Sequence, residues 1–196
     1  MPTTRASRIQ LAQSINVPSS QLPPLAHQVR DLKVGEFLLW PGGWLEASLG
    51  GHAIMYLVDR VSATEANFVV MNTGAGVRVW HKTCPEGYPK EKRHTQLCVR
   101  AELERIADPA WLYVLFRVNF QPHDSHNAAA VYEICLEELL QKGIQEASVH
   151  DPHSVPETLQ RSGTCFYRCV LTATRYALRR LGASQGQVKK MMHSVS

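Results

Sequence analysis

Runs of apolar residues separated by short polar segments predict β-strands in the first half of the chain. Residues 36–40, Glu-Phe-Leu-Leu-Trp, predict a short strand, and residues 41–43, Pro-Gly-Gly, predict a turn that ends it. Residues 53–58 are apolar throughout, which predicts a strand buried on both faces. A polar connection then leads to a strand over residues 68–71, and the alternating residues 77–80 predict a further strand.

The second half of the chain is predicted to hold one more strand and then two long helices. Residues 112–120 alternate in the manner of a strand. Apolar residues recur at helical spacing over residues 127–142, and Gly143 can end that helix. A last helix is predicted over residues 164–181, with Gly182 as its stop. A β-rich centre followed by helices indicates an α+β fold.

The composition is that of one ordinary globular domain. The chain has 196 residues, of which 44% are hydrophobic and 19% are charged. A chain of this length can bury a core without disulfide or metal staples. Residues 1–30 are polar and interrupted by prolines, which predicts an N-terminal arm. Residues 31–196 then form a single domain, which we expect to be monomeric.

Charge and cysteine content narrow the classes of partner and compartment. The net charge of +4 is small, and the densest basic patch, within residues 90–94, suits a solvated loop, so we expect no nucleic-acid partner. No apolar run reaches the ~20 residues of a membrane span, so we expect no membrane helix. No apolar segment follows the basic residues of the N-terminus, so we expect no secretory signal. Five cysteines without a dense framework indicate free thiols in a reducing compartment, the cytoplasm or the nucleus.

The segment before the last predicted helix carries a candidate nucleophile. Cys165 stands in the first turn of that helix, where the helix dipole and free backbone N–H groups stabilise a thiolate. Gly163 lets the backbone approach a substrate closely. Gln160 can supply an amide donor to a developing oxyanion, together with the backbone N–H of Cys165. Cys169, one helical turn later, is expected to be a packing residue.

The candidate base and its orienting partner stand at the ends of two neighbouring strands. His52 follows a Gly-Gly pair and opens the strand over residues 53–58, and Asn72 ends the strand over residues 68–71. If these strands pair as a hairpin, His52 and Asn72 lie side by side. Asn72 can then hold one imidazole nitrogen and direct the other at Cys165.

The order His52, Asn72, Gln160, Cys165 resembles that of the SUMO and ubiquitin-like-protein proteases related to adenain. These proteases are papain-like enzymes in which the two halves of the fold occur in permuted order. The resemblance rests on order and spacing over residues 36–182. It implies a papain-like α+β fold with a central antiparallel sheet and a C-terminal catalytic helix.

The chain departs from that family around the matching residues. Ala53 stands where the family usually has an aromatic residue after the histidine. Thr164 and Phe166 flank the cysteine, where aspartate and glycine are common. Asn72 replaces the usual aspartate, as papain itself tolerates. Other permuted papain-like groups, including acyltransferases among bacterial effectors, share the order nearly as well.

The resemblance implies a cofactor-independent thiol protease that removes ubiquitin or a ubiquitin-like protein from conjugates. Cys165 would attack the amide or isopeptide carbonyl, with His52 moving the proton. The Gly-rich tail of such a modifier needs a narrow tunnel. The candidate substrate-binding residues, with the tryptophans as tunnel walls, are Trp40, Trp44, Gly51, Trp80 and Gly163. For a pathogen effector, the compartment would be a host cytosol.

Two other classes of function stay open. An acyltransferase would use the same triad and pass the thioester to an acceptor other than water. A non-enzymatic protein-binding module would carry a zinc site at residues 81–98, where His81, Cys84, His94 and Cys98 are spaced as zinc ligands can be. The protease interpretation needs no metal, and the chain lacks a Gly-rich phosphate loop.

Overall fold

A four-stranded antiparallel sheet forms the centre of the protein, with strand order β1-β2-β3-β5. The computed structural model describes residues 22–48, 50–84, 92–160 and 163–194. A second, two-stranded antiparallel sheet pairs β4 with β6. The strands are β1 (Phe37–Leu45), β2 (Gly51–Arg60), β3 (Glu65–Met71), β4 (Lys92–His94), β5 (Gln96–Glu102) and β6 (Pro156–Thr158).

Helices cover both faces of the central sheet. One segment, π1, is a π-helix, and it continues directly into α5. The helices are α1 (Leu22–Asp31), α2 (Val77–Trp80), α3 (Leu103–Ile106), α4 (Pro109–Phe120), π1 (Ala130–Leu136), α5 (Glu137–Leu140), α6 (Ile144–Ala147), α7 (Cys165–Arg180) and α8 (Gln185–His193). The predicted α+β class with an antiparallel sheet is confirmed.

The strand β2 is buried on both faces, as its unbroken apolar run predicts. Tyr56 and Val58 point into the larger core, which also contains residues of α1, α4 and π1. Met55 and Leu57 point to the opposite face, where they pack with Cys169 and other residues of α7. Because side chains alternate across a strand, one apolar run serves both cores.

The helix α7 runs parallel to β2. Sγ of Cys169 donates to the carbonyl oxygen of Ala53, near the start of β2, over 3.2 Å. At the C-terminal end of the helix, Arg180 forms an ion pair with Asp59, near the end of β2, with an N–O distance of 2.9 Å. The N-terminus of α7 therefore lies at the end of β2 that carries His52.

Residues 112–120 belong to the helix α4, so the strand prediction for them is wrong. Asp108 accepts a hydrogen bond from the N–H of Ala110, and Pro109 occupies the first turn, both of which favour a helix start. Apolar residues fill most positions of this segment, so alternation does not distinguish a strand from a helix. The positions that the helix buries recur at helical spacing: Trp111, Leu112, Leu115, Val118 and Asn119.

Two other local predictions are wrong. Residues 77–80 form the short helix α2 instead of a strand, after a left-handed Gly76 with φ of 88°. Residues 41–43 continue β1 instead of forming a turn. A Cβ on residue 43 would lie 2.1 Å from the carbonyl oxygen of His52. Glycine is therefore needed there because β1 passes very close to β2.

Both long helices predicted in the second half are present. The helix expected over residues 127–142 is observed as π1 and α5, and Gln141, with φ of 53°, caps its end before Gly143. The last predicted helix is α7, and Gly182 follows it with φ of 89°. Of the predicted N-terminal arm, residues 1–21 lie outside the described residues.

Residues 22–31, which follow the undescribed residues 1–21, form α1. This helix buries Leu22, Ala26 and Val29 in the larger core. Within the described ranges, no helix combines the length and apolar character needed to cross a membrane.

Candidate functional site

His52 lies at the start of β2, opposite Trp44 of β1. The two rings are in contact, with centroids 4.9 Å apart and planes tilted by 37°. Only 8% of His52 is exposed. Burial lowers the pKa of His52 from its ordinary 6.5, and the hydrogen bond to Asn72 acts in the opposite direction. The imidazole is therefore predominantly neutral near pH 7.

Asn72 follows the last residue of β3 and is fully buried. Antiparallel pairing of β2 with β3 brings its side chain to His52, and Oδ1 of Asn72 lies 2.7 Å from Nε2 of His52. Its backbone N–H donates to the carbonyl oxygen of Thr95 over 2.8 Å. The predicted contact between His52 and Asn72 is thus present.

Two backbone groups identify the orientation of the Asn72 amide. The N–H of Gly74 can only donate, and it lies 2.9 Å from Oδ1. The carbonyl oxygen of Ala75 can only accept, and it lies 2.6 Å from Nδ2. Oδ1 therefore faces His52 as an acceptor, so Nε2 of His52 carries the proton. In the neutral imidazole, Nδ1 is then the unprotonated nitrogen and can act as a base.

The side chains of Gln160 and His52 meet above Gly74. The backbone N–H of Gln160 donates to the carbonyl oxygen of Thr73 over 2.8 Å, and the Thr73 hydroxyl donates to Oε1 of Gln160 over 3.0 Å. A Cβ on residue 74 would lie 2.5 Å from Cε1 of His52 and 2.7 Å from Nε2 of Gln160. Only glycine leaves room for both side chains.

Cys165 is the first residue of α7 and is partly exposed. Gly163, with φ of 61°, turns the chain just before the helix. Within the described residues, the side chain of Thr164 makes no capping hydrogen bond. The first backbone N–H groups of a helix have no partner within the helix itself. Groups of this kind can donate to a thiolate or to an oxyanion beside Cys165.

The position of Cys165 relative to His52 follows from the course of α7. Cys169 contacts the main chain of Ala53, and Cys165 lies one turn closer to the helix N-terminus, about 6 Å along the axis. Residues four apart share a helix face. Since α7 runs parallel to β2, this turn leads from Ala53 toward His52. Cys165 therefore lies at the same end of the sheet as His52 and Gln160.

Cys169 is a core residue. It is 1% exposed, and its thiol contacts the Thr73 hydroxyl at 3.6 Å as well as the Ala53 carbonyl. Burial raises the pKa of its thiol, which disfavours the thiolate. The prediction that Cys169 is a packing residue is confirmed.

The predicted substrate-binding tryptophans have different positions in the structure. Trp40 is a core residue that packs against Tyr56 and Phe68, with ring centroids at 6.1 Å from each, so it does not form a tunnel wall. Trp44 covers the His52 ring but is itself buried. Trp80 stacks parallel on Tyr132, with centroids 4.7 Å apart.

The two predicted substrate-binding glycines have backbone roles. A Cβ on Gly51 would lie 2.4 Å from the carbonyl oxygen of Trp44, so Gly51 permits close approach of β1 to β2. Gly163 is exposed beside the start of α7. Of the two, Gly163 is therefore the one at the surface next to Cys165.

The four residues considered as zinc ligands make other contacts. Nδ1 of His81 lies 3.1 Å from the carbonyl oxygen of His94, and the Cys84 thiol donates to the carbonyl oxygen of Lys92 over 2.8 Å. Cys98 is buried in the core beside α7. Among the residues that the structure describes, no group of three or more His, Cys, Asp or Glu side chains could hold a metal ion.

Three residues of the site escape detection from sequence. Thr73 and Gly74 belong to an Asn-Thr-Gly segment that is typical of a turn, and their contacts to Gln160 join residues far apart in the chain. Tyr132 lies in an apolar helical stripe, where it is indistinguishable from a core residue, yet its hydroxyl lies 3.1 Å from Nδ2 of Asn72. The Asn-Thr-Gly sequence directly after a strand is the one local signal.

Comparison of the chain with family models, with curated proteins and with solved structures finds no significant match to any of them.

Proposed function

We propose that the protein is a papain-like cysteine hydrolase in which Cys165 is the nucleophile and His52 is its base. The observation that carries the proposal is the hydrogen bond from His52 to the oriented amide of Asn72. This bond leaves Nδ1 of His52 free to accept a proton, at the end of the sheet where α7 begins with a cysteine. An activated nucleophile, an adjacent base and a group that orients the base are what covalent catalysis requires.

The reaction consists of acylation followed by hydrolysis. Nδ1 of His52 takes the proton of the Cys165 thiol, and the thiolate attacks the substrate carbonyl carbon. The tetrahedral intermediate collapses to a thioester, and the imidazolium gives its proton to the departing amine. Water then attacks the thioester, with His52 again taking and returning one proton, and the acid is released from the regenerated thiol.

The developing oxyanion would be stabilised by two donors. One is the backbone N–H of Cys165 at the positive end of the α7 dipole. The other is Nε2 of Gln160, because Oε1 of this side chain is already engaged by the Thr73 hydroxyl. Gln160 and His52 both line the space above Gly74, which supports a shared role around one reacting carbonyl.

The substrate that we propose is a protein conjugated to ubiquitin or to a ubiquitin-like modifier. The order of His52, Asn72, Gln160 and Cys165 supports this class through its resemblance to modifier proteases. The two residues after the nucleophile, Phe166 and Tyr167, are 65% and 57% exposed and supply apolar surface for a protein substrate. All five cysteines are free, which suits the reducing compartments where such conjugates occur.

Ubiquitin and SUMO carrying an alkyne electrophile at the C-terminus test the proposal. We expect one modifier to attach covalently, with the mass increase located at Cys165 by peptide mapping. Cys165→Ala should abolish labelling, whereas Cys84→Ser, a change at another partly buried thiol, should leave it intact. Labelling that survives Cys165→Ala contradicts the nucleophile assignment. Absence of labelling and of conjugate cleavage with both modifiers contradicts the substrate class.

A further inference from the structure

A chain of hydrogen bonds leads from the candidate triad into the core. Nδ2 of Asn72 lies 3.1 Å from the hydroxyl oxygen of Tyr132. The same hydroxyl lies 2.8 Å from Nε2 of His81, and Nδ1 of His81 lies 3.1 Å from the carbonyl oxygen of His94. With His52 at its other end, the chain joins β2, β3, π1 and the residues around α2 and β4.

The donors and acceptors of this chain all point in one direction. The oriented amide of Asn72 donates to Tyr132. The carbonyl oxygen of His94 can only accept, so Nδ1 of His81 carries the proton and Nε2 of neutral His81 accepts from the Tyr132 hydroxyl. Burial lowers the pKa of His81 to about 4, which keeps this ring neutral near pH 7. Aligned hydrogen bonds polarise and strengthen one another.

The residues of this hydrogen-bond chain are almost completely buried. Asn72 and Tyr132 have no exposed surface, and His81 is 4% exposed. Trp80 stacks parallel on the Tyr132 ring, and His81 meets the same ring edge-on with centroids 5.6 Å apart. Loss of one partner would leave a buried donor or acceptor that water cannot reach, which is costly. The chain therefore holds the Asn72 amide in one orientation.

We infer that Tyr132 and His81 are positioning residues that act on His52 through Asn72. An asparagine amide has nearly the same shape in its two orientations, and only its hydrogen bonds distinguish them. Tyr132 takes the second N–H of Asn72, beside the bond to Ala75, and His81 keeps the Tyr132 hydroxyl turned away from that N–H. This inference rests on the proposed function, because it assigns the tautomer that a His52 base needs.

The tautomer of His52 can be measured without turnover, by the ¹⁵N chemical shifts of its ring. We expect Nε2–H to dominate in the natural protein. Tyr132→Phe, which removes one oxygen and keeps the ring beside Trp80, should move the shifts toward a mixture of tautomers. It should also lower kcat/KM by about 10- to 100-fold, mainly through kcat. Tyr113→Phe, at an exposed tyrosine on α4, is the matched control and should change neither quantity.

Substitutions at His81 provide the second arm of the test. His81→Leu removes the acceptor for the Tyr132 hydroxyl, whereas His81→Gln retains an acceptor, so the glutamine variant should lose less activity and keep more Nε2–H tautomer. Unchanged His52 shifts and natural turnover in folded Tyr132→Phe or His81→Leu would overturn the inference. An inactive natural protein whose His52 shifts still respond to Tyr132→Phe would instead contradict the hydrolase and leave the positioning chain in place.

Discussion

Nε2 of His52 donates to Oδ1 of Asn72 over 2.7 Å, and the other end of the same amide donates to the carbonyl oxygen of Ala75 over 2.6 Å. The second contact favours asparagine over aspartate at this position. A carboxylate has no N–H to offer to Ala75, and it would bring two oxygens together in a buried site. Asparagine at position 72 is therefore favoured by the contact to Ala75 as well as by the contact to His52.

Substitution of Asn72 by aspartate should raise the pKa of His52, because a neighbouring carboxylate favours the imidazolium. The variant should also lose about 1–3 kcal/mol of unfolding free energy, because its second oxygen faces the Ala75 carbonyl. Titration of the His52 ring by NMR in the Cys165→Ala background measures the shift without interference from the thiol. Asn127→Asp, at an asparagine that accepts from the N–H of Ala130, is the control. A His52 pKa that stays in place or falls in Asn72→Asp would contradict this account.

The pH dependence expected of the proposed hydrolase follows from the burial of His52. Burial lowers the pKa of His52 below 6.5, and the imidazole must be neutral to accept the thiol proton. The acid limb of kcat/KM should therefore be centred below pH 6.5. A pH series with a cleaved modifier substrate measures it, and an acid limb centred above pH 6.5 would disagree with the assigned state of His52.

The contact between His52 and Asn72 could be predicted from the sequence because it depends on strand pairing. His52 and Asn72 end adjacent strands, so their meeting follows once β2 and β3 form a hairpin. Cys165 is likewise predictable, since Gly163 and the apolar stripe of α7 mark a helix start. These signals are local in the sequence, and the contact between His52 and Asn72 needs only the assumption that β2 pairs with β3.

The remainder of the site depends on contacts between distant segments. Tyr132 reaches Asn72 across 60 positions of sequence, and nothing local distinguishes it from a core tyrosine. The substrate-binding prediction for Trp40 is wrong because of a similar distant contact. A tryptophan beside glycines suits a binding surface, yet the Trp40 ring packs against Phe68 in the core. In α4, apolar residues at most positions satisfy both a period of two and a helical period, so Asp108 and Pro109 at its start are what identify the helix.

Replacement of Gly74 by alanine should damage activity more than stability. The added Cβ would overlap the His52 ring and the Gln160 amide, which must then move apart. We expect a loss of about 1–3 kcal/mol of unfolding free energy from overpacking, together with a large fall in kcat. Gly143→Ala is a matched control, because φ there is −61° and no atom lies within 4 Å of the new Cβ. Natural activity in Gly74→Ala would mean that the site above this glycine is not the reacting site.

The ion pair between Arg180 and Asp59 should stabilise the packing of α7 on β2. Arg180→Met leaves the Asp59 carboxylate, which is 5% exposed, without its cation. We expect a loss of about 2 kcal/mol of unfolding free energy, less than for a fully buried pair because Arg180 is partly exposed. Glu104→Gln at the exposed pair with Arg30 should cost no more than about 0.5 kcal/mol. Equal effects of the two substitutions in urea denaturation would contradict the clamping role.

The rate at which Cys165 reacts with iodoacetamide at pH 7, followed by peptide mass spectrometry, tests whether His52 activates this thiol. We expect Cys165 to react faster than Cys84, and we expect His52→Ala to slow Cys165 by at least about tenfold, since the base that activates the thiol is removed. Cys84 in the same sample is the internal control, and its rate should not change. Equal reactivity of Cys165 in the natural protein and in folded His52→Ala would show that the two residues do not act as a nucleophile and its base.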